Sequence, residues 1–395
     1  MGEARPRGSA SEVFLVFLKL GVSSFGGPIA HLGYFRAEFV ERRRWLSERA
    51  YVDLVALSQF LPGPASSQTG FAIGLMRGGA LGGLAAWAGF TLPSAALLLA
   101  FAFGSSQIGE APWGAGLLHG LKLVAVAIVA QAVLGMARSL CPDKARASIA
   151  TAALVLLLLA PGSLAQIAAI ALGAAAGLVL PGESGSPAPE SLAMPISRSA
   201  GLLCLTAYFA LLALAFVPAG GLLALFAAFY RSGALVFGGG HVVLPLLRDA
   251  VVAPGWVSDS AFLAGYGAAQ AIPGPLFTFA AYLGAIAGQP PAGIAGALVA
   301  LVAIFLPGLL ALTGALPFWH ALRANSRAQA AMRGVNAAVV GLLGAALYSP
   351  VWTSAVLAPA DFAIAAAGFV LLAAWRAPPL VVVALSAAAG IALAA

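Results

Sequence analysis

Six stretches of this chain, residues 54–76, 78–109, 147–182, 199–230, 260–322 and 334–360, contain no Asp, Glu, Lys or Arg. Each exceeds the roughly 20 apolar residues that carry a helix across the hydrocarbon core of a bilayer. The run 260–322 is long enough for more than one passage. A soluble domain cannot be built this way, because water wets a folded surface largely through charged side chains. Only 8% of the 395 residues are charged, against about a quarter in soluble domains. The chain therefore reads as an all-α integral membrane protein, since a helix satisfies its own backbone polar groups where water is absent. Its 47 glycines and 25 prolines suit closely packed and interrupted membrane helices.

The net charge of +7 does not point to nucleic acid. The basic residues sit in short loops between apolar runs, as they do in cytoplasmic loops of membrane proteins. Cys141 and Cys204 lie far apart and match no metal spacing. Residues 1–11 are polar, and Lys19 and a Gly/Pro break interrupt the apolar stretch that follows, unlike a cleavable signal peptide.

The chain contains itself twice. KLGVSSFGGP (19–28) resembles RSGALVFGGG (231–240) at an offset of 212 residues. WLS (45–47) matches WVS (256–258), and QFLPGP (59–64) matches QAIPGP (270–275), both at 211. Leu92-Pro93 pairs with Leu306-Pro307, and Gly120 with Gly334, both at 214. Landmarks in one order at near-constant spacing indicate a duplication. The expected organisation is a first repeat at 1–182, a polar linker with a connecting transmembrane helix at 183–221, and a second repeat at 222–395.

Loop charges predict that the two homologous halves have inverted topology. Arg36, Arg42, Arg43, Arg44 and Arg49 face a counterpart loop holding only Arg248. The loop 105–114 lacks Lys and Arg, whereas its counterpart holds Arg323, Arg327 and Arg333. Arg138, Lys144 and Arg146 correspond to 348–361, which has none. Under the positive-inside rule the halves are oppositely oriented, the pattern of inverted-repeat transporters. The N-terminus, loop 36–49 and Arg77 are then cytoplasmic. Segments 12–35 and 50–76 must return to the side they left, as broken or re-entrant helices at the GGP and PGP motifs. Full crossings are expected at 79–104, 115–138, 147–160 and 164–181.

A break within the membrane strands backbone N–H and C=O groups, which costs several kcal/mol unless something satisfies them. Pro28, Pro64 and Pro275 suit helix starts. Gly26, Gly27, Gly63, Gly238, Gly239, Gly240 and Gly274 would bare backbone amides that favour an anion. Pro62 and Pro273 complete the PGP breaks. Lys19 and Arg231 are equivalent cations within apolar runs, hence candidates for substrate contact, with snorkelling to the interface as the structural alternative. Gln59 and Gln270 precede the PGP breaks and can donate to an oxyanion or to helix carbonyls. Ser23, Ser24, Ser66 and Thr278 add hydroxyl donors, as do Ser67 and Thr69, although hydroxyls also bond helix carbonyls. His31 and His241 follow the breaks at non-equivalent positions and can titrate or pack. No acidic residue falls clearly in mid-membrane, so an anion is favoured over a cation. Walker A motif, metal cluster and nucleophile–base pair are all missing from the sequence, so neither a cofactor nor an enzyme is expected.

The FGGP segment, the WLS turn, QFLPGP and their degenerate second set together resemble the chromate ion transporter (CHR) family in its long, two-domain form. The resemblance covers the chain except its linker. It implies an inner-membrane carrier of chromate whose efflux confers resistance, with sulfate as a close chemical analogue. The implied energy source is the proton motive force. The partners expected are an inorganic oxyanion, the lipid bilayer and protons as coupling ion, with a homodimer among the assemblies open to it. Gly240 stands where the first copy has Pro28, so the halves can contribute unequally. Competing readings are a re-entrant-helix lipid-phosphate enzyme or flippase, and an anion channel.

Overall fold

A computed structural model describes residues 8–179 and 196–394, apart from 112, 161, 289 and 290. The polar linker expected from residue 183 lies, as far as residue 195, outside the described residues. Every regular element among the described residues is helical. The first half runs α1 (Ala10–Ser23), α2 (Gly27–Arg36), α3 (Glu48–Phe60), α4 (Ala65–Glu110), α5 (Gly114–Leu140), α6 (Lys144–Leu159) and α7 (Ser163–Val179). After α8 (Arg198–Leu214), the second half runs α9 (Gly221–Ala234), α10 (Val243–Val251), α11 (Asp259–Gln270), α12 (Phe279–Ile286) and α13 (Gly293–Ala315). It ends with α14 (Trp319–Ala324), α15 (Ser326–Ala346), α16 (Thr353–Ala355), α17 (Pro359–Ala373) and α18 (Pro379–Ala394).

The order repeats. Although α4 is continuous in outline, it is two helices meeting at Gly78 and Gly79, where φ reaches +64° at Gly79. Its parts correspond to α12 and α13, while α5, α6 and α7 correspond to α15, α17 and α18. Helices over Ala65–Ser105, Gly114–Leu140, Gly293–Ala324 and Ser326–Ala355 are long and apolar enough to cross a membrane. Large apolar side chains such as Leu81, Leu164 and Leu203 are exposed on the outer faces, a surface suited to lipid rather than water.

The Trp-x-Ser landmark is a helix start. Ser47 Oγ accepts the Ala50 amide at 3.1 Å, and Ser258 Oγ accepts that of Ala261 at 3.2 Å. Each serine caps free first-turn donors. An acid follows in both copies, and an arginine upstream reaches it: Arg36 Nε donates to Glu48 at 2.8 Å, Arg248 Nε to Asp259 at 2.8 Å.

The halves interlock. Helix α15 packs on α6 and α7 of the first half, while α5 packs on α17 and α18 of the second. Gly120 and Gly334 mark these contacts. A Cβ on Gly390 would stand 2.7 Å from the Gly120 amide nitrogen, and one on Gly334 would stand 2.7 Å from Gly177 Cα. Glycine at both positions lets the backbones touch. Asp53 of α3 is ion-paired with Arg323 of α14, a further tie between the halves.

Candidate substrate site at the crossing of the helix breaks

Four helix breaks follow from the glycines of the two motifs. Gly26 and Gly27 have φ of +99° and +75°, and their counterparts Gly238 and Gly239 have +75° and +145°. Gly63 and Gly274 have +120° and +98°. An L side chain loses roughly 1–2 kcal/mol in left-handed backbone, so this path selects glycine in both copies. The prolines then restart the chain. Pro28 lies in the first turn of α2, Pro64 immediately precedes α4, and Pro275 precedes a short 3-10 turn leading into α12.

These breaks meet in pairs, one from each half. The Gly63 amide donates to the Val236 carbonyl at 2.8 Å, and the Gly274 amide donates to the Ser24 carbonyl at 3.0 Å. Gly63 and Gly274 are repeat counterparts, as are Ser24 and Val236, so one hydrogen bond is made twice. Gly63 lies flush with α13, because a Cβ there would stand 2.8 Å from Gly308 Cα. Gly274 lies flush with α4, its Cβ position 2.8 Å from Ser94 Oγ. A Cβ on Gly240 would lie 3.1 Å from Pro28 Cγ, so these two repeat counterparts approach each other closely. The sequence reading gave these amides to a ligand; the structure commits those of Gly63 and Gly274 to holding the halves together.

Side chains around the crossing are polar on the first-repeat side. His31 is fully buried. Its Nε2 lies 3.2 Å from the Ser24 carbonyl and its Nδ1 lies 3.4 Å from Ser66 Oγ. Gln68 Nε2 donates to the carbonyls of Pro62 at 2.8 Å and Gly308 at 2.9 Å. Around these stand buried atoms without a protein partner: Ser24 Oγ, Ser67 Oγ, Gln68 Oε1, Thr91 Oγ1, Gln270 Nε2 and Asn336 Oδ1. Asn336 is placed beside the third break, 3.5 Å from the Cβ position of Gly238. An unsatisfied buried polar atom is costly, and a set of them around the two backbone crossings is chemistry suited to a polar guest. The Ser and Thr hydroxyls and the Gln270 amide nitrogen can donate to an oxyanion's oxygens without a fixed positive charge, whereas Gln68 Oε1 and Asn336 Oδ1 only accept.

Other sequence candidates lie elsewhere. Lys19, Ser23 and Gln59 are exposed, and the Ser23 hydroxyl donates to the Lys19 carbonyl. Arg231 turns to α8, donating to the Ala215 carbonyl at 3.0 Å and lying over the Phe216 ring at 5.4 Å. His241 Nδ1 is 2.7 Å from the Tyr266 hydroxyl. Thr278 Oγ1 donates to the Pro275 carbonyl at 2.7 Å and so stiffens the fourth break. A cavity of about 170 Å³ lined by Gln166, Pro245, Arg248, Asp249 and Pro350 lies against α10, apart from the breaks. Gln68, Thr91, Ser94 and Asn336 were missed as site residues. The polar run Ser66-Ser67-Gln68-Thr69 directly after PGP, within an uncharged stretch, was the available signal.

The chromate transporter family model matches residues 11–178 and again 223–391. The chain is 33% identical over 382 residues to the chromate transport protein of Pseudomonas aeruginosa, covering 94% of this chain and 89% of that one. It is 28% identical over 354 residues to the probable chromate transport protein of Synechococcus elongatus, covering 87% and 84%. With the chromate transport protein of Cupriavidus metallidurans it shares 26% over 351 residues, covering 87% and 82%. No solved structure matches it. Two successive copies of one family pattern, joined through matching breaks in a helical membrane protein, make this chain a member of the chromate transporter family of ion transporters.

Proposed function

We propose that the chain is a secondary active transporter that exports an inorganic oxyanion, chromate with sulfate as analogue, across the inner membrane at the expense of the proton motive force. The observation that carries this reading is the doubled hydrogen bond, Gly63 to Val236 and Gly274 to Ser24, ringed by unpartnered buried polar atoms. Two equivalent pairings, each of a PGP break of one half with the Gly-Gly break of the other, give a site that either half can open by rocking against the other. The relatives' names supply the substrate.

The halves, 1–182 and 222–395, are inverted copies in this reading, with α8 as the added crossing that reverses the second. Loop charge supports that, with the N-terminus cytoplasmic. The helix pairs α1/α2, α3/α4, α9/α10 and α11/α12 enter and return as re-entrant elements. The substrate rests among Ser24, Ser66, Gln270 and the glycines and prolines of the breaks, while a homodimer is the assembly to look for.

Flux of labelled chromate and sulfate in proteoliposomes tests the reading. Accumulation that responds to an imposed proton motive force and saturates with substrate is expected. Ohmic conductance independent of that force would mark a channel instead, and movement of lipid phosphate without oxyanion flux would mark a flippase.

A further inference from the structure

One side chain joins three of the four breaks. His31, on α2 just after the first break, has Nε2 on the Ser24 carbonyl and Nδ1 on Ser66 Oγ of α4, just after the second. The same Ser24 carbonyl receives the Gly274 amide of the fourth break. The imidazole lies edge-on to Phe90, their ring centroids 5.2 Å apart, and is fully buried. A carbonyl only accepts, so Nε2 carries a hydrogen in this arrangement. Nδ1 is then the lone pair that the Ser66 hydroxyl donates to.

We propose that His31 carries the coupling proton, an inference that rests on the reading of this chain as a proton-coupled oxyanion carrier. A proton added to the Nδ1 lone pair breaks no bond. The Ser66 hydroxyl rotates from donor to acceptor, and both contacts of the ring survive. The surroundings supply no counter-charge. Of the charged groups on neighbouring elements, Glu12 is paired with Arg77, Arg36 with Glu48, and Asp53 with Arg323, while Lys19 and Arg49 are exposed. No charged side chain among the described residues bonds His31.

A buried imidazolium with no anion beside it is strongly disfavoured. Protonation is therefore favoured when a dianion occupies the crossing, and the two travel together. One proton with one dianion leaves a net charge of −1. The interior-negative potential, the electrical part of the proton motive force, is then what drives the pair outward, while acid outside opposes it. Only one half carries the device, because the counterpart of His31 is Val243 and that of Ser66 is Phe277.

The test reconstitutes the full chain in proteoliposomes at clamped voltage and records chromate and proton movement together. Wild type is expected to move protons with chromate in the same direction. His31→Gln should lose the proton component per chromate moved, and its remaining flux should lose the pH dependence that wild type shows. His320→Gln, at an exposed position, should keep the ratio. Ser66→Ala keeps the imidazole but removes the acceptor that favours its charged form, so the pH midpoint of flux should fall. Proton movement persisting in His31→Gln, an unmoved midpoint in Ser66→Ala, or protons running against chromate would each overturn the proposal. Wild-type chromate flux without protons overturns it and leaves the carrier reading standing; no oxyanion flux at all overturns both.

Discussion

At Ser24 and Gly274 the chain makes the same backbone hydrogen bond as at Val236 and Gly63, yet the side chains that the two copies bring to these crossings differ in kind. The first-repeat positions hold Ser24, His31, Ser66 and Gln68, and their counterparts are Val236, Val243, Phe277 and Phe279. The apolar set packs among aromatic rings, with Phe277 5.7 Å from Phe305 and Phe279 5.2 Å from Phe262. The polar set is threaded with hydrogen bonds and orphan atoms. Duplication kept the backbone path, which glycine geometry dictates. It left the first copy with most of the polar side chains, while the second contributes Gln270 and Asn336 beside an otherwise apolar packing.

The largest contrast should come from the glycines that make the crossings. Both Gly63→Ala and Gly274→Ala incur the left-handed cost of roughly 1–2 kcal/mol, but the obstacles differ. Gly63 faces the Gly308 backbone, while Gly274 faces the Ser94 hydroxymethyl group. Gly63→Ala should therefore lose about 3 kcal/mol or more, counting overpacking, and abolish flux. Gly274→Ala should lose less and be partly rescued by Ser94→Gly. Unfolding midpoints in detergent measure both, and equal losses would remove the distinction.

Next in size is Gln68→Leu, which leaves the Pro62 and Gly308 carbonyls without their donor. A loss of about 2–3 kcal/mol is expected, with impaired transport. Phe279→Leu at the counterpart should cost about 1 kcal/mol through a small cavity and leave most of the flux. The reverse ranking would show that the polar side is not the working one.

The smallest effects belong to the repeated ion pairs. Arg36→Ala and Arg248→Ala should each shift the unfolding midpoint only slightly, as exposed pairs do. The loss should be greater at Arg248, whose side chain is 30% exposed against 48% for Arg36. Salt titration of the unfolding midpoint reads the difference, because screening should weaken the more exposed pair first.

Much of this was legible in the sequence because it is local. A glycine forced to positive φ, a proline in a first turn and a serine capping a helix leave their marks within a few residues, so FGGP and PGP predicted breaks at which α2 and α4 begin, while the Trp-x-Ser landmark, read only as a repeated turn, holds the caps of α3 and α11. Long-range pairings left no such mark. Nothing within FGGP or PGP says that Gly63 meets Val236, or that α5 and α15 exchange partners. The direction of Lys19 was illegible for another reason. Helix α1 buries Val13, Val16, Phe17 and Leu20 and exposes Leu15 and Val22 beside Lys19. Where the outer face is also apolar, hydrophobic periodicity no longer separates inside from outside. His31 was legible as a residue but not as a link, since its partners stand in two other segments.

The central claim is that the oxyanion sits at the crossing, among the polar atoms of both halves. Single cysteines at Gln270, Asn336 and Lys19, in a chain freed of Cys141 and Cys204, can be modified with a small anionic thiol reagent in the presence and absence of chromate. The account predicts that chromate slows modification of Gln270→Cys and Asn336→Cys and leaves Lys19→Cys unchanged. Protection at Lys19→Cys, with reaction at the other two unaffected, would contradict it.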